Sequence, residues 1–362
     1  MDRELPSIFV GRERELHELR AGLDEVASGQ RRLFVLAGES GIGKTRLADE
    51  FAALARQQGA RVLWGRCWEG EGAPAFWPWV QIVRACLQQS DADTLTTEMG
   101  NGAAAIAQIV PDIAERLPGL SVLPELEPIQ ARFRLFDSLT TFLKNLAQRQ
   151  LLVLILDDLQ WADEPSLLLL HFLAREIHDA RLLVIGAYRE GEVERTHSVA
   201  EALGSFARES RRLHLRGLTE MEVARFLAAQ TGAEPQAALV TALCEQTEGN
   251  PFFMSEMVRL LRSEGDHSTL PTLQSALLLP HGVRETLRRR LGRLSAACHQ
   301  VLTVAAVIGR EFGLRALAMV GAGLRPDPTD GALLALLDEA SAAQIVSAVP
   351  GSVGRYRFVH AL

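Results

Sequence analysis

Residues 33–45, LFVLAGESGIGKT, are the stretch from which the rest of the chain can be interpreted. The apolar half, residues 33–37, predicts a buried parallel strand, because short unbroken apolar runs are typical of strands covered on both faces. The second half, GESGIGKT, matches the pattern G-x-x-x-x-G-K-[ST] in full, and an amphipathic helical pattern follows it. Strand, glycine loop and helix in this order predict a phosphate-binding P-loop, and a mere glycine-rich turn before a helix is the weaker alternative.

Each part of this loop has a chemical reason. Glycines allow backbone N–H groups to turn toward phosphate oxygens, and the following helix points its positive end at the same anion. Lys44 is expected to reach the β- and γ-phosphates, and the Thr45 hydroxyl is expected to bind Mg²⁺. The predicted nucleotide contacts are Gly38, Glu39, Ser40, Gly41, Ile42, Gly43, Lys44, Thr45 and Arg46.

Two related glycine motifs do not fit the same residues. A dinucleotide-binding G-x-G-x-x-G is excluded because Arg46 stands where its third glycine would be. A nucleophile-elbow G-x-S-x-G is excluded because Ile42 occupies its last position. A dinucleotide fold and an α/β-hydrolase therefore lose their best support.

Composition narrows the class of protein. The chain has 362 residues and a net charge of −7, so two or three domains are expected and non-specific nucleic-acid binding by the whole chain is disfavoured. The four cysteines are widely spaced, which suits reduced thiols in a cytoplasm and offers no zinc-binding spacing. Neither a signal peptide nor a run of about 20 apolar residues is present in the sequence, so no membrane span is expected.

Further parallel strands are predicted at residues 61–67, 151–156, 181–189 and 212–215. The second of these is entirely apolar and ends in Asp157 and Asp158, which downstream of a P-loop is a Walker B pattern. Asp157 is expected to hold Mg²⁺, and Asp158 to act as the general base toward the attacking water. Arg189 ends the next strand, where it either contacts a γ-phosphate or forms an ordinary salt bridge to Glu190 or Glu192.

Beyond residue 217 the pattern becomes helical. Thr219 begins a capping box, and Asn250 is expected to cap a helix that starts at Pro251. Three later helices and two strands near residues 344–349 and 355–360 predict a winged helix. The predicted division is a leading segment (1–32), an α/β domain (33–216), a helical small domain (217–268) and a winged-helix-like domain (269–362). The last strand has no cap, so a longer protein is expected.

A tryptophan-rich segment, residues 68–79, is predicted to be a packed loop before a helix, with a wall for a partner or nucleotide as the alternative.

Together these segments resemble the signal-transduction ATPases of the STAND branch of AAA+. The resemblance is closest to the ATPase module of large LuxR-type, maltose-activator-like regulators and of some multidomain adenylate cyclases and serine/threonine kinases. It covers essentially the whole chain, through FVGRERE, GESGIGKT, LLVLILDDLQWAD, LLVIGAYRE, LHLRGLTEMEVARFL, EGNPFF and YRFVHAL.

The resemblance implies roles that spacing cannot show. It places Val10, Gly11 and Arg12 over adenine and ribose, makes Arg189 the sensor arginine of the fourth strand, and packs Pro251 against the base. His360 stands where a winged-helix histidine reaches the β-phosphate in related switches, although a core histidine is an equal alternative. The acidic pair is Asp-Asp and not the commoner Asp-Glu, a departure that concerns the rate of hydrolysis and not nucleotide binding.

The implied function is that of an ATP/ADP-operated switch with Mg²⁺ as cofactor. ADP would hold it closed, while ATP would favour assembly with further copies of itself, and slow hydrolysis would reset the state. Two alternatives remain open. One is a regulator that contacts DNA through the winged helix and the basic helix 283–294, and the other is a nucleotide-binding scaffold without turnover.

Overall fold

The computed structural model describes residues 9–69, 72–120, 123–178, 180–190, 203–204, 206–264, 291–292, 294–309, 311–314, 316–317, 330–343, 345–349, 352 and 354–358. The chain forms two compact units. The first, called here the α/β unit, consists of Arg12–Gly38 and Lys44–Leu215. The second, the helical unit, takes in residues 9–11, Glu39–Gly43 and the described part of Arg216–Leu362.

The α/β unit is built on a five-stranded parallel sheet with the order β2-β3-β4-β1-β5. The central strands are almost fully buried, as the unbroken apolar runs predict, because helices cover both faces of such a sheet. The strands are β1 (Arg32–Gly38), β2 (Arg61–Arg66), β3 (Leu152–Asp157), β4 (Leu182–Arg189) and β5 (Arg211–His214).

Helices with described bounds in the same unit number eight. The longest is α7, whose apolar residues recur at helical spacing and pack Leu139, Phe142 and Leu143 into the core. Asp163 caps α8 by accepting a hydrogen bond from the Ser166 N–H. The helices are α1 (Glu13–Ala27), α2 (Lys44–Gln57), α3 (Trp77–Gln89), α4 (Ala92–Met99), α5 (Ala103–Ile106), α6 (Asp112–Arg116), α7 (Pro128–Arg149) and α8 (Glu164–Glu176).

The tryptophan-rich segment differs in part from the prediction. Helix α3 already begins at Trp77, three residues before the predicted start, because Pro78 is well tolerated in a first helical turn. Trp79 is buried, and its Nε1 donates a hydrogen bond to the Ser166 carbonyl at 3.1 Å. Trp68, at the other end of the segment, is exposed. The buried Trp79 of this segment therefore belongs to a helix and not to a loop. Helix α4, further along the chain, was not predicted.

The helical unit contains a three-helix cluster. Its helices are α9 (Glu220–Thr231), α10 (Ala237–Thr247) and α11 (Pro251–Glu264). The predicted capping box is present, since Thr219 and Glu222 each bond to the other's backbone N–H. Leu218, Phe226 and Leu243 are among the buried side chains that hold these helices together.

The same unit also contains a three-stranded antiparallel sheet with the order β6-β8-β7. The two predicted strands are present as β7 (Val346–Ala348) and β8 (Arg355–Phe358), and β6 (Glu311–Gly313) was missed because it is only three residues long. Helices α12 (Ala296–Ile308) and α13 (Asp330–Ala342) contribute to the core beside it. Most of the predicted basic helix 283–294 lies outside the described residues.

Among the helices that the structure describes, none is both long and apolar enough to cross a membrane. All four cysteines are free thiols.

Candidate functional site

The carboxyl ends of three strands of the α/β unit form the edge where the candidate site lies. Strand β4 lies between β1 and β3, so residues at the ends of these strands are neighbours across the sheet. Gly38 at the end of β1 is in register with Arg189 at the end of β4. Asp157 at the end of β3 is in register with Arg66 of β2. Parallel sheets bind their ligands at this edge, so these residues mark the functional end of the fold.

Lys44 is the first residue of α2 and is buried, with 7% of its surface exposed. Its Nζ donates a hydrogen bond to the Gly38 carbonyl oxygen at 2.9 Å, which keeps the ammonium group within the glycine loop. Gly43, directly before Lys44, has a φ of 100°, a backbone conformation that side chains with a Cβ rarely adopt. Gly43 therefore supplies the bend of the backbone, and Lys44 directly after it supplies the positive charge within the loop.

Thr45 and Asp157, the two predicted metal ligands, are in contact. Thr45 Oγ1 donates a hydrogen bond to Asp157 Oδ2 at 2.9 Å. Burial, with Asp158 beside it, raises the pKa of Asp157, and the Arg66 guanidinium is 4.0 Å from the same carboxylate. Two adjacent hard oxygen ligands, one of them a buried carboxylate with little compensating charge, fit Mg²⁺ well.

Asp158 has a φ of 56°, in the left-handed region that few residues with a Cβ occupy. Its Oδ1 is 3.5 Å from Arg189 Nη2 and accepts a hydrogen bond from Gln160 Nε2 at 2.7 Å. Arg189 therefore pairs with Asp158, and Glu190, one of the two predicted partners, pairs with Arg212. Glu192, the other predicted partner, lies outside the described residues. The predicted base and the predicted sensor arginine therefore face each other.

The tip of the glycine loop, Glu39–Gly43, belongs to the helical unit. Asn250 Nδ2 donates to the Ser40 carbonyl oxygen at 3.0 Å, and the Phe252 N–H donates to the Gly41 carbonyl oxygen at 3.3 Å. Asn250 Oδ1 also accepts from the Phe252 N–H, so the predicted helix cap is confirmed. Within the loop, the Ile42 N–H donates to the Glu39 carbonyl oxygen at 3.4 Å.

Gly41 explains why this contact between the loop and α11 is so close. Its φ is 78°, and a Cβ built on it would lie 2.8 Å from Phe252 Cβ and 3.0 Å from Asn250 Oδ1. Only glycine fits both the backbone conformation and the space. Pro251, half-buried at the first position of α11, lies in the same segment.

The remaining predicted contacts are distributed over both units. Val10 packs against the three-helix cluster, and a Cβ on Gly11 would lie 2.7 Å from Glu222 Oε1, so both belong to the helical unit. Arg12 belongs to the α/β unit, where it precedes α1 with a φ of 67° and only 9% exposure. Arg46 forms an ion pair with Glu50 along α2. His360 lies outside the described residues.

Sequence reasoning missed the contacts that two carboxamide side chains make in the site. Gln160 is 6% exposed and bonds both to Asp158 and to the backbone of Arg189, and Asn250 bonds to the loop in addition to capping a helix. A polar residue two positions after the acidic pair was a weak signal for Gln160. No local pattern could have linked Asn250 to Ser40, because 210 positions separate them.

Comparison with known proteins agrees with this geometry. Residues 8–185 match the family model described as an AAA ATPase domain. The structure of the Aeropyrum pernix ORC2 protein in its ADPNP–ADP complexes is 16% identical, with a TM-score of 0.59 over 99% of this chain and 92% of that chain. The ADP form of the ORC2 protein is 17% identical, with a TM-score of 0.51 over 100% of this chain and 93% of that one. At these identities the likeness concerns the fold alone.

A curated relative from Rhizobium meliloti (strain 1021), an uncharacterised protein, is 26% identical over 84% of this chain. The chain spans 30% of the length of that relative. Residues 8–185 are thus similar to an AAA ATPase domain, and the P-loop and the five-stranded parallel sheet, whose last strand lies beyond residue 185, agree with that match.

Proposed function

We propose that this chain is a nucleotide-operated switch that binds ATP or ADP with Mg²⁺ and hydrolyses ATP slowly. The observation that carries the proposal is the contact between Thr45 Oγ1 and Asp157 Oδ2 at 2.9 Å. It brings the last residue of the glycine motif to the buried acid of β3, and both are oxygen ligands of the kind that Mg²⁺ prefers. The ORC2 structures with ADPNP and ADP support the choice of an adenine nucleotide.

In this proposal the residues of the α/β unit have distinct roles. Lys44 exchanges its hydrogen bond with the Gly38 carbonyl for the β- and γ-phosphates. Asp158 accepts the proton of the attacking water, and Arg189 binds the γ-phosphate. Thr45 and Asp157 would hold Mg²⁺, which supplies charge neutralisation for the phosphates when it is bound. Because Arg189 pairs with Asp158 at 3.5 Å, a γ-phosphate would compete with that carboxylate for the arginine.

The switch itself would operate through the loop tip. A phosphate bound by backbone N–H groups favours the peptide orientations in which the Ser40 and Gly41 carbonyls point away from it, since each peptide group is planar. Those two carbonyls are the acceptors for Asn250 and the Phe252 N–H. A phosphate bound in the loop would therefore change the hydrogen bonds to the start of α11 directly. Pro251 would pack against the base.

We further propose the wider setting of the module. It would lie in the cytoplasm within a larger regulatory protein of the STAND type, such as a LuxR-type transcriptional regulator, and would form nucleotide-dependent homo-oligomers. The greater length of the Rhizobium meliloti relative supports a module within a longer chain. The four-part division at residues 32, 216 and 268 belongs to this proposal, as do the adenine contacts of Val10, Gly11 and Arg12 and the phosphate contact of His360.

DNA binding by this chain itself is a second candidate function. The three-stranded sheet with α12 and α13 favours it, since winged helices combine such elements. In the preferred proposal DNA is contacted only indirectly, through a domain outside this chain. Binding of the isolated chain to duplex DNA that falls steeply with salt would favour the second candidate.

The proposed function is tested by substituting one binding and one catalytic residue. Lys44→Ala should weaken ADP binding by roughly 100-fold, because charge-assisted hydrogen bonds to phosphate are lost. Asp158→Asn should leave ADP binding within about twofold and stop steady-state ATP hydrolysis, because an amide cannot accept the proton. Isothermal titration with ADP and a phosphate-release assay measure the two effects.

Two matched substitutions on α7 serve as controls. Lys144→Ala and Asp137→Asn make the same chemical changes outside the site and should leave both measurements unchanged. Unchanged ADP affinity in Lys44→Ala would contradict the binding site, and hydrolysis by Asp158→Asn at the normal rate would remove Asp158 as the base.

A further inference from the structure

Gln160 is a buried carboxamide at the centre of the candidate site, within the 3₁₀ turn Leu159–Trp161 that follows β3. Its Nε2 donates to Asp158 Oδ1 at 2.7 Å. Its Oε1 accepts from the Arg189 backbone N–H at 3.0 Å. One side chain therefore connects the acid after β3 to the end of β4.

The orientation of this amide is determined by its partners. A carboxylate can only accept and a backbone N–H can only donate, so the oxygen must face Arg189 and the nitrogen must face Asp158. Rotating the amide by 180° would place two acceptors together and two donors together. The Gln160 side chain thus acts as a spacer of fixed length and polarity.

The backbone that carries Gln160 is itself held against β4. Leu159 is buried, and a Cβ on Gly186 of β4 would lie 2.7 Å from Leu159 Cδ1, so the glycine leaves room for the Leu159 side chain against this strand. The Trp161 N–H donates to the Asp158 carbonyl oxygen at 2.9 Å and closes the turn. The turn is therefore packed against the neighbouring strand.

Asp158 needs such support because its own backbone is unfavourable. A φ of 56° places a residue with a Cβ in the left-handed region, which persists only where surrounding contacts stabilise it. The contacts with Gln160 and with Arg189 both fall on Oδ1 of the carboxylate. Gln160 and Arg189 therefore orient the Asp158 carboxylate through the same oxygen atom.

We propose that Gln160 is a positioning residue for ATP hydrolysis, which sets the carboxylate of Asp158 relative to the end of β4. This inference rests on the proposed function, in which Asp158 is the base. Gln160 would act on turnover and not on nucleotide affinity, because it bonds to the acid and not to the glycine loop. Misplacing a catalytic group by about 1 Å can lower a rate by roughly 100-fold.

The test uses Gln160→Ala and Gln160→Met, the second of which keeps most of the buried volume without the hydrogen bonds. Both variants should lower kcat for ATP by roughly 10- to 100-fold and leave KM within about twofold. Gln150→Ala is the matched control, since Gln150 Nε2 also donates a hydrogen bond, in its case to the backbone carbonyl of Gly59 at 2.8 Å. Its kcat should not change.

A thermal double-mutant cycle with Asp158→Ala provides a readout that does not depend on hydrolysis. The Tm loss of the Gln160→Ala, Asp158→Ala double variant should be smaller than the sum of the single losses by about 2–4 °C. Such coupling, together with the selective loss of kcat, supports the inference. Normal kcat in both Gln160 variants, or a loss of affinity as large as the loss of kcat, overturns it.

The two proposals can fail separately. If the wild-type chain and Asp158→Asn release phosphate equally, or if neither releases it, the proposed role of Asp158 in ATP hydrolysis is wrong. The thermal cycle then remains as the test of whether Gln160 holds Asp158. Coupled Tm losses then still support its hold on Asp158, and additive losses overturn it.

Discussion

Two carboxamide side chains, Gln160 in the α/β unit and Asn250 in the helical unit, hold different parts of the candidate site. Gln160 bonds to a side chain, the carboxylate of Asp158, and to the backbone at the end of β4. Asn250 bonds to the backbone carbonyl of Ser40 and caps its own helix. The same functional group therefore supports the proposed proton acceptor in one region and the proposed phosphate-binding loop in the other.

The different partners of Gln160 and Asn250 separate two properties that a nucleotide switch has to combine, the rate of hydrolysis and the affinity for nucleotide. A residue that orients an acid changes the rate of the chemical step, whereas a residue that orients peptide groups changes how well the loop binds phosphate. The helical unit would therefore respond to nucleotide occupancy through Asn250, and the α/β unit would determine the lifetime of the ATP state through Gln160. The following variants test whether the two effects are separable.

Among the variants that test this separation, the largest effect is expected from Gly41→Ala, which disturbs the loop contact directly. The added Cβ would lie 2.8 Å from Phe252 Cβ, at a backbone φ of 78°. Overpacking and backbone strain together cost about 2–4 kcal/mol, so the Kd for ADP should rise by at least about 30-fold. Isothermal titration with ADP measures the change.

Gly232→Ala is the control for backbone strain alone. Gly232 ends α9 with a φ of 73°, and a Cβ there would have no neighbour within 4 Å. This variant should lose about 1 kcal/mol of stability while binding ADP normally. If both variants bind ADP with the same affinity, the contact between the loop and α11 is irrelevant to phosphate binding.

The sequence predicted the parts of the molecule that depend on local chemistry. The strand from residue 33, the glycine loop and the acid pair at the end of β3 follow from apolar runs and residue spacing, and the structure confirms the five parallel strands. The cap at Asn250 and the box at Thr219 were predicted for the same reason, because each depends on residues two or three positions apart.

Contacts between distant parts of the chain could not be predicted in this way. The bond from Asn250 to Ser40 depends on how the chain folds back over 210 positions. The pairing of Arg189 with Asp158 depends on β4 lying beside β3. Strand β6 was missed because three residues carry too little periodicity to be recognised.

A smaller effect is expected from Asn250→Ala, which removes one donor to the loop. A single hydrogen bond contributes about 1 kcal/mol, so the Kd for ADP should rise by roughly 5-fold while kcat stays unchanged. Asn250→Ser separates the two functions of the residue, because serine caps helices well but is too short to reach the Ser40 carbonyl.

The expected result is that Asn250→Ser binds ADP as weakly as Asn250→Ala but keeps the wild-type Tm. Titration and thermal unfolding of the same samples measure the two properties. Restored ADP affinity in Asn250→Ser would mean that the residue acts only as a helix cap, and the parallel between the two carboxamides would then fail.

The smallest expected effect is the coupling between the two carboxamides themselves. If Gln160 acts on turnover and Asn250 on affinity, a Gln160→Ala, Asn250→Ala double variant should show the kcat of the first and the ADP affinity of the second. Additivity within about 0.5 kcal/mol, or roughly twofold in kcat/KM, is the expectation for independent sites. Steady-state kinetics of the four proteins provide the cycle. A larger deviation would mean that the loop and the acid adopt their arrangements together, so that nucleotide binding and the readiness to hydrolyse form one transition and not two separately adjustable steps.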